Sequence, residues 1–319
     1  MKKILKISKL SLIIIISIIT FIYFIGNILK FFIYNEYYAV KTPVAPNQGL
    51  NDGFVSQGID YLPGLDLYIT SGYMTNKQKA SRVYLSNGKF FELEVLKNGI
   101  KQPYTGHCGG IAVSEHYGLI FLTSSSGLYK IELNQLLSQL DQENPKLLVY
   151  GLTTVHNRAS AVSIIDDQLY VAEFYNGTNY LTNHQYEYNG EKANALLMVY
   201  DINMFLNDEQ LVPNNIFTLP DKAQGVVKIG DYLYVSTSYG LASSYLKKYD
   251  VSKAKILNSN EQNINFLGSD SLIASLKMPP MSEDLCIVDN KVVTSFESAS
   301  NLYIFGKIFH AFNIVMIDF

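Results

Sequence analysis

Tryptophan is absent from these 319 residues, cysteine occurs twice, and charged residues make up only 17%. Two cysteines, Cys108 and Cys286, cannot set up a disulfide framework. Both fall in or beside apolar segments and are expected as buried thiols. The first 30 residues contain no Asp or Glu but hold Lys2, Lys3, Lys6, Lys9 and Lys30, so the rest of the chain is net acidic. An acidic body lacks the electrostatic footprint of a nucleic-acid binder, or of a protein drawn to anionic lipid by charge. Also missing are a G-x-S-x-G elbow, H-E-x-x-H, a Walker A loop, an EF-hand loop and paired C-x-x-C. An S-x-x-K string at Ser244–Lys247 falls on a predicted strand, where residues three apart face opposite sides. Chemistry that announces itself by motif is therefore excluded.

What is present begins with a long apolar run. Leu10 to Leu29 is almost unbroken Ile, Leu and Phe behind the lysine-rich tip. About 20 apolar residues cross a bilayer as a helix, and positive flanks remain cytoplasmic. A cleaved signal peptide would have an apolar region of about 7–15 residues ending at a small-x-small site. This run is longer, and Phe31, Phe32, Ile33 and Tyr34 follow it. The expectation is a cytoplasmic tip and signal-anchor helix over residues 1–34, with residues 35–319 outside the cell membrane.

The body repeats one phrase. QGIDYLPGLDLYIT from Gln57 returns as GGIAVSEHYGLIFLT from Gly109, SAVSIIDDQLYVA from Ser160, QGVVKIGDYLYVS from Gln224 and EDLCIVDNKVVTS from Glu283. Aligned on Gly58, Gly110, Ala161, Gly225 and Asp284, each copy reads as strand, tight turn, strand, loop and third strand. A fourth strand follows in most copies. Tyr and Phe are abundant, at 24 and 17, which suits pleated, half-buried strands. Four short strands per repeat is the β-propeller blade. The fold class is all-β, a propeller of five four-stranded blades after one N-terminal transmembrane helix; a sixth blade stays open, since the unit from Ala161 carries a long polar insertion. The last unit ends after its third strand, and Tyr37–Val44 is placed to supply the missing outer one.

The strand grammar of GGIAV followed by LIFLTSSSGLYKIEL resembles the six-bladed propellers of the gluconolactonase and strictosidine-synthase-like group over Gln57 to Phe319. That resemblance implies a ligand site at the central channel. In the lactonase members it also implies a calcium ion held by Glu, Asn and Asp. Glu283 alone falls where such an acid is placed, as a candidate metal ligand; the Asn and Asp partners have no counterparts here.

Geometry nominates a site independently. In a propeller the starts of the innermost strands converge on one channel mouth, and the loops after the second strands open on the same face. The strand starts give Gln57, His107, Arg158, Gln224 and Glu283; the loops give Glu173, Tyr239 and Glu297. Glu173 and Glu297, as loop acids, are expected to be solvated, and Glu283 and Arg158 could pair with each other. Two loops stand out: the polar, tyrosine-rich stretch from Asn176 to Asn194, a candidate binding loop or lid, and the apolar stretch from Asn301 to Phe312, suited to a pocket wall, a bilayer contact or packing on the ring. Two functions follow. The first is a membrane-anchored extracytoplasmic module that binds a small molecule, glycan or protein at the channel mouth. The second is a calcium-dependent hydrolase of the lactonase or esterase type, with Gln57 and Gln224 helping Glu283 supply the oxygens that calcium requires.

Overall fold

The computed structural model describes residues 9–207, 211–259 and 262–319. Lys2, Lys3 and Lys6 of the basic tip lie outside them. Helix α1 runs Lys9–Ile33 and is followed by a short helix α2, Asn35–Val40. The remainder is a β-propeller. Among the described residues its strands follow one another as antiparallel up-and-down units, each with the inner strand first. The innermost strands are Phe54–Leu62, Ile111–Ser114, Ala161–Ile165, Ala223–Ile229 and Ser282–Val288. Each of these adjoins the next in that order, and the last adjoins the first, so the ring is closed.

Local sequence explains the hairpins. Asp166–Asp167 and Asp289–Asn290 join first to second strands, and all four residues have φ between 51° and 57°. Two consecutive left-handed residues are what a tight type I′ hairpin needs, and Asp and Asn adopt that conformation at low cost.

Most of the core lies between units. Leu62, Ile69 and Phe91 of the first unit pack with Ile120 and Leu147 of the second, and Phe121 of the second packs with Val171 and Met198 of the third. Tyr170 and Leu197 meet Val226 and Val235, and Leu246 and Leu276 meet Val292 and Phe296. Cys286 and Val293 close the circle against Ile59 and Tyr68. A strand with both faces buried has no need of polar alternation, which accounts for runs such as Leu119–Thr123. Both cysteines are free and buried.

The aligned small residues sit where the inner strands come closest. A Cβ on Gly58 would lie 2.6 Å from the Ile111 nitrogen, one on Gly110 2.6 Å from the Val162 nitrogen, and one on Gly225 2.5 Å from the Asp284 Cα. The recurring glycine is thus a requirement of close backbone approach around the axis. Where the fifth unit has Asp284, its buried carboxylate accepts the backbone N–H of Leu285 at 2.9 Å. Asp60 does the same for Val113, at 2.6 Å.

The ring closes as the sequence implied, with a shift in register. The strand that pairs with Asn313–Ile317 is Lys41–Pro46, from Lys41↔Ile317 to Pro46↔Asn313. The first half of the expected strand Tyr37–Val44 is helical instead, because α2 turns Tyr37 inward onto Phe296 with its ring only 1% exposed. The second half of the polar insertion packs beside the ring. Tyr186–Tyr188 and Glu191–Ala193 form a small hairpin, and Glu191 accepts the Ser269 N–H at 2.9 Å, which ties the hairpin to the side of the ring.

Candidate functional site

A cavity of about 460 Å³ occupies the channel mouth. Of the residues expected there, the strand starts Gln57, His107, Arg158, Gln224 and Glu283 all line it. Tyr239 and Glu297 join them from the loops. Backbone geometry delivers the loop residues. Lys222 and Met281 take left-handed φ values of 66° and 65°, and their carbonyls accept the N–H groups of Ser238 and Glu297, both at 3.0 Å. The same device at corresponding places turns each loop back over the mouth.

Glu173 is the exception. It is only 1% exposed and faces the wall behind the cavity. Its carboxylate accepts the N–H groups of Arg158 at 3.1 Å and Leu196 at 2.9 Å, with His184 Nε2 at 3.3 Å. It is a scaffold acid that holds the Arg158 strand start in place. The expectation of solvated loop acids fails for Glu297 as well. Arg158 and Glu283 form no ion pair among the described residues; Arg158 Nη1 donates to the Leu181 carbonyl at 3.0 Å.

The chemical centre of the cavity is the pair Glu283 and Glu297, which are hydrogen-bonded to each other. Burial, followed by the charge of Glu297, holds the Glu283 carboxyl well above the usual carboxylate range. Burial also pushes Glu297 up to about 7, against the opposing effect of the hydrogen bonds it accepts. Two carboxylates this close cannot both ionise cheaply. The bond between them raises Glu283 and lowers Glu297, which makes Glu283 the donor of the pair and Glu297 the acceptor. Glu297 Oε2 also accepts from Gln57 Nε2 at 2.7 Å and from the Tyr303 hydroxyl at 3.1 Å. Tyr73 extends the chain, its hydroxyl 3.3 Å from that of Tyr303, and its ring packs on His107 at 4.8 Å between centroids. Burial lowers the His107 pKa, which keeps that imidazole neutral.

Sequence reasoning missed the aromatic wall. Tyr73, Phe174, Tyr180 and Tyr303 all line the cavity, and Phe174 bridges Tyr180 and Tyr239 at centroid distances of 5.3 and 6.0 Å. Their common signal was available: each lies in a loop, or at its edge, after a second strand. Tyr180 is the part of the polar insertion that reaches the cavity.

The donor set does not fit calcium. Calcium takes six to eight oxygens. Here two carboxyl groups are engaged with one another, and Gln57 presents its Nε2 to Glu297. Among the described residues no group of three or more His, Cys, Asp or Glu is arranged to hold a metal.

No protein-family model matches the chain, and no curated protein matches it. Solved structures do resemble it. Glutaminyl cyclase of Myxococcus xanthus has 8% identity and a TM-score of 0.42, covering 88% of this chain and 98% of that one. A putative oxidoreductase (glucose dehydrogenase) of Thermus thermophilus has 10% identity and a TM-score of 0.41, covering 87% and 98%. The tail fiber of a Staphylococcus aureus phage has 14% identity and a TM-score of 0.46, covering 85% and 52%. These identities and scores are too low to carry a site or an activity across.

Proposed function

We propose that the protein is a membrane-anchored, extracytoplasmic binding module whose cavity takes a small hydroxyl-rich ligand of the glycan class. The observation that carries this reading is a carboxyl pair, Glu283 buried and Glu297 half-buried, facing an aromatic wall. A pocket of this size, with apolar rings and a few fixed polar groups, suits a small molecule. Glu297 and the Gln57 Oε1 accept from ligand hydroxyls, the Gln57 amide hydrogens being held by Ser56 and Glu297, while Gln224 and Arg158 donate to ligand oxygens. The tyrosine rings cover the C–H faces of a sugar.

Anchoring is supported by α1, whose segment Ser11–Ile33 is long and apolar enough to span a bilayer. Close packing supports its retention in the mature protein, since Gly26 and Tyr23 of the helix pack on Ile308 and His310 of the ring. The lysine-rich tip favours a cytoplasmic N-terminus and an outward-facing ring.

The test is thermal stability of the full chain in detergent, with and without a panel of monosaccharides, disaccharides and amino sugars. A sugar that raises the melting temperature of the native chain, but not of Glu297→Ala, supports the reading. No shift with any member, or a shift that survives Glu297→Ala together with Tyr303→Phe, overturns it.

A second reading has one observation in its favour. A carboxyl pair that holds a proton near neutral pH is equipped for general acid–base hydrolysis without a metal. Ester hydrolysis that follows the ionisation of Glu297 and disappears in Glu297→Gln would establish it.

A further inference from the structure

Helix α1 meets the ring on the mouth face. Its residue Gly26 lies so close to Ile308 that a Cβ there would fall 2.3 Å from the Ile308 side chain. Tyr23 stacks on His310 at 5.8 Å between centroids, and Tyr34 at the helix end reaches Ser243, its hydroxyl 3.4 Å from that of the serine. Ile308, His310 and Ser243 all belong to loops after second strands, the loops that surround the cavity. Gly26 and Tyr23 lie inside the candidate span Ser11–Ile33. Gly26 is seven residues before the helix end, about 10 Å back along the axis. Wherever that span sits in a bilayer, Ile308 is carried to the same depth.

The rim of the cavity is built for such a place. Three of its loops share one pattern: a tyrosine that lines the cavity, next to aliphatic or aromatic residues turned outward. Tyr180 precedes Leu181, Tyr239 comes two before Leu241, and Tyr303 is flanked by Leu302 and Ile304, with Phe305 beyond. Ile304 and Phe305 are 74% and 69% exposed, and Leu181, Leu241 and Leu302 are exposed as well. In water such a cluster around a polar opening is unfavourable, and it marks an interaction surface. Its continuity with an apolar helix identifies what covers it.

We propose that the mouth face rests on the bilayer that α1 enters, with Leu181, Leu241, Ile304 and Phe305 inserted at the interface and the cavity opening toward the lipid headgroups. This rests on the reading of α1 as a retained membrane span. A ligand would then be membrane-borne, or would enter along the membrane surface. Tyr303 links the two regions: its backbone belongs to the inserted loop and its hydroxyl donates to Glu297.

The natural absence of tryptophan makes a direct test available. The full chain is reconstituted into phosphatidylcholine vesicles, with or without bromine on the acyl chains, as four single-tryptophan variants. Phe21→Trp reports on α1, Phe305→Trp and Leu241→Trp on the rim, and Ile256→Trp on an exposed strand at the outer edge of the third unit. Brominated lipid should quench most of the emission of Phe21→Trp, Phe305→Trp and Leu241→Trp and leave Ile256→Trp unchanged. Quenching of Phe21→Trp alone overturns the docking while the anchor stands. Loss of quenching at Phe21→Trp as well means the anchor reading has failed. A rim shielded from both brominated lipid and aqueous acrylamide is covered by a second copy or another protein, which also overturns the proposal.

Discussion

The Glu283 and Glu297 carboxyls meet at the mouth of the ring, although 14 residues and a hairpin separate them in the chain. Glu283 begins the innermost strand of the last unit and Glu297 follows its second strand, so one antiparallel turn brings the two carboxyls together. Their burial has a consequence for stability. Glu297 is raised from 4.5 to about 7 in the folded ring, so the folded state keeps a proton that the unfolded chain releases. Stability from this group is fully present below about pH 4 and is lost as pH rises through about 7. The shift corresponds to at most about 3 kcal/mol. The native chain should therefore melt progressively lower between pH 5 and 8 by calorimetry, while Glu297→Gln should show a flatter profile and overtake it at the alkaline end. A native profile as flat as that of the variant would show that the Glu297 carboxyl is not raised in the folded ring.

The Tyr303 hydroxyl stabilises the ionised form of Glu297. Tyr303→Phe should move the carboxyl titration, followed by infrared absorption of the protonated C=O, to higher pH. Gln57→Leu should act in the same direction, since Gln57 donates to the same oxygen. A downward shift in either variant would show that the two donors do not face the ionised oxygen.

Glu173 should behave differently from the cavity acids. Its carboxylate serves two backbone N–H groups, and leaving buried donors unpaired costs about 1–3 kcal/mol each. Glu173→Leu is expected to lower the melting temperature by several degrees. Glu297→Ala, by contrast, should abolish ligand response with a smaller stability loss. Equal losses in denaturant titrations would remove the distinction between scaffold and site.

The glycines at the axis admit little. With backbone atoms 2.5 to 2.6 Å from a hypothetical Cβ, Gly58→Val or Gly225→Val should cost upward of about 3 kcal/mol, more than ordinary overpacking. The loss would be read as a drop in the denaturant midpoint. A midpoint unchanged in both would mean that the inner strands are free to move apart.

Calcium should leave the melting temperature unchanged and produce no saturable heat on titration, because the two cavity carboxyls are occupied with each other. A saturable heat that disappears in Glu283→Gln would restore the metal-hydrolase alternative.

Periodicity in the chain carried the propeller class, the placement of most strands and the face on which a site must lie. Those features depend on spacing: where a hairpin turns, which residues start an inner strand, and where small residues recur. The same reasoning placed Gln57, His107, Arg158, Gln224, Glu283, Tyr239 and Glu297 at one mouth, because strand starts and second-strand ends share a side. It could not separate Glu173 from Glu297, since both follow a second strand and only side-chain direction distinguishes a wall from a cavity. Nor could it see that Tyr37 would turn into a helix against Phe296, or that Gly26 would receive Ile308, because contacts between residues hundreds of positions apart leave no local trace. The sequence by itself determined a ring of strands behind an apolar helix. Only the tertiary structure decided that two acids would meet inside it, and that the helix would leave from the side on which they lie, because burial and proximity exist only once the ring has closed.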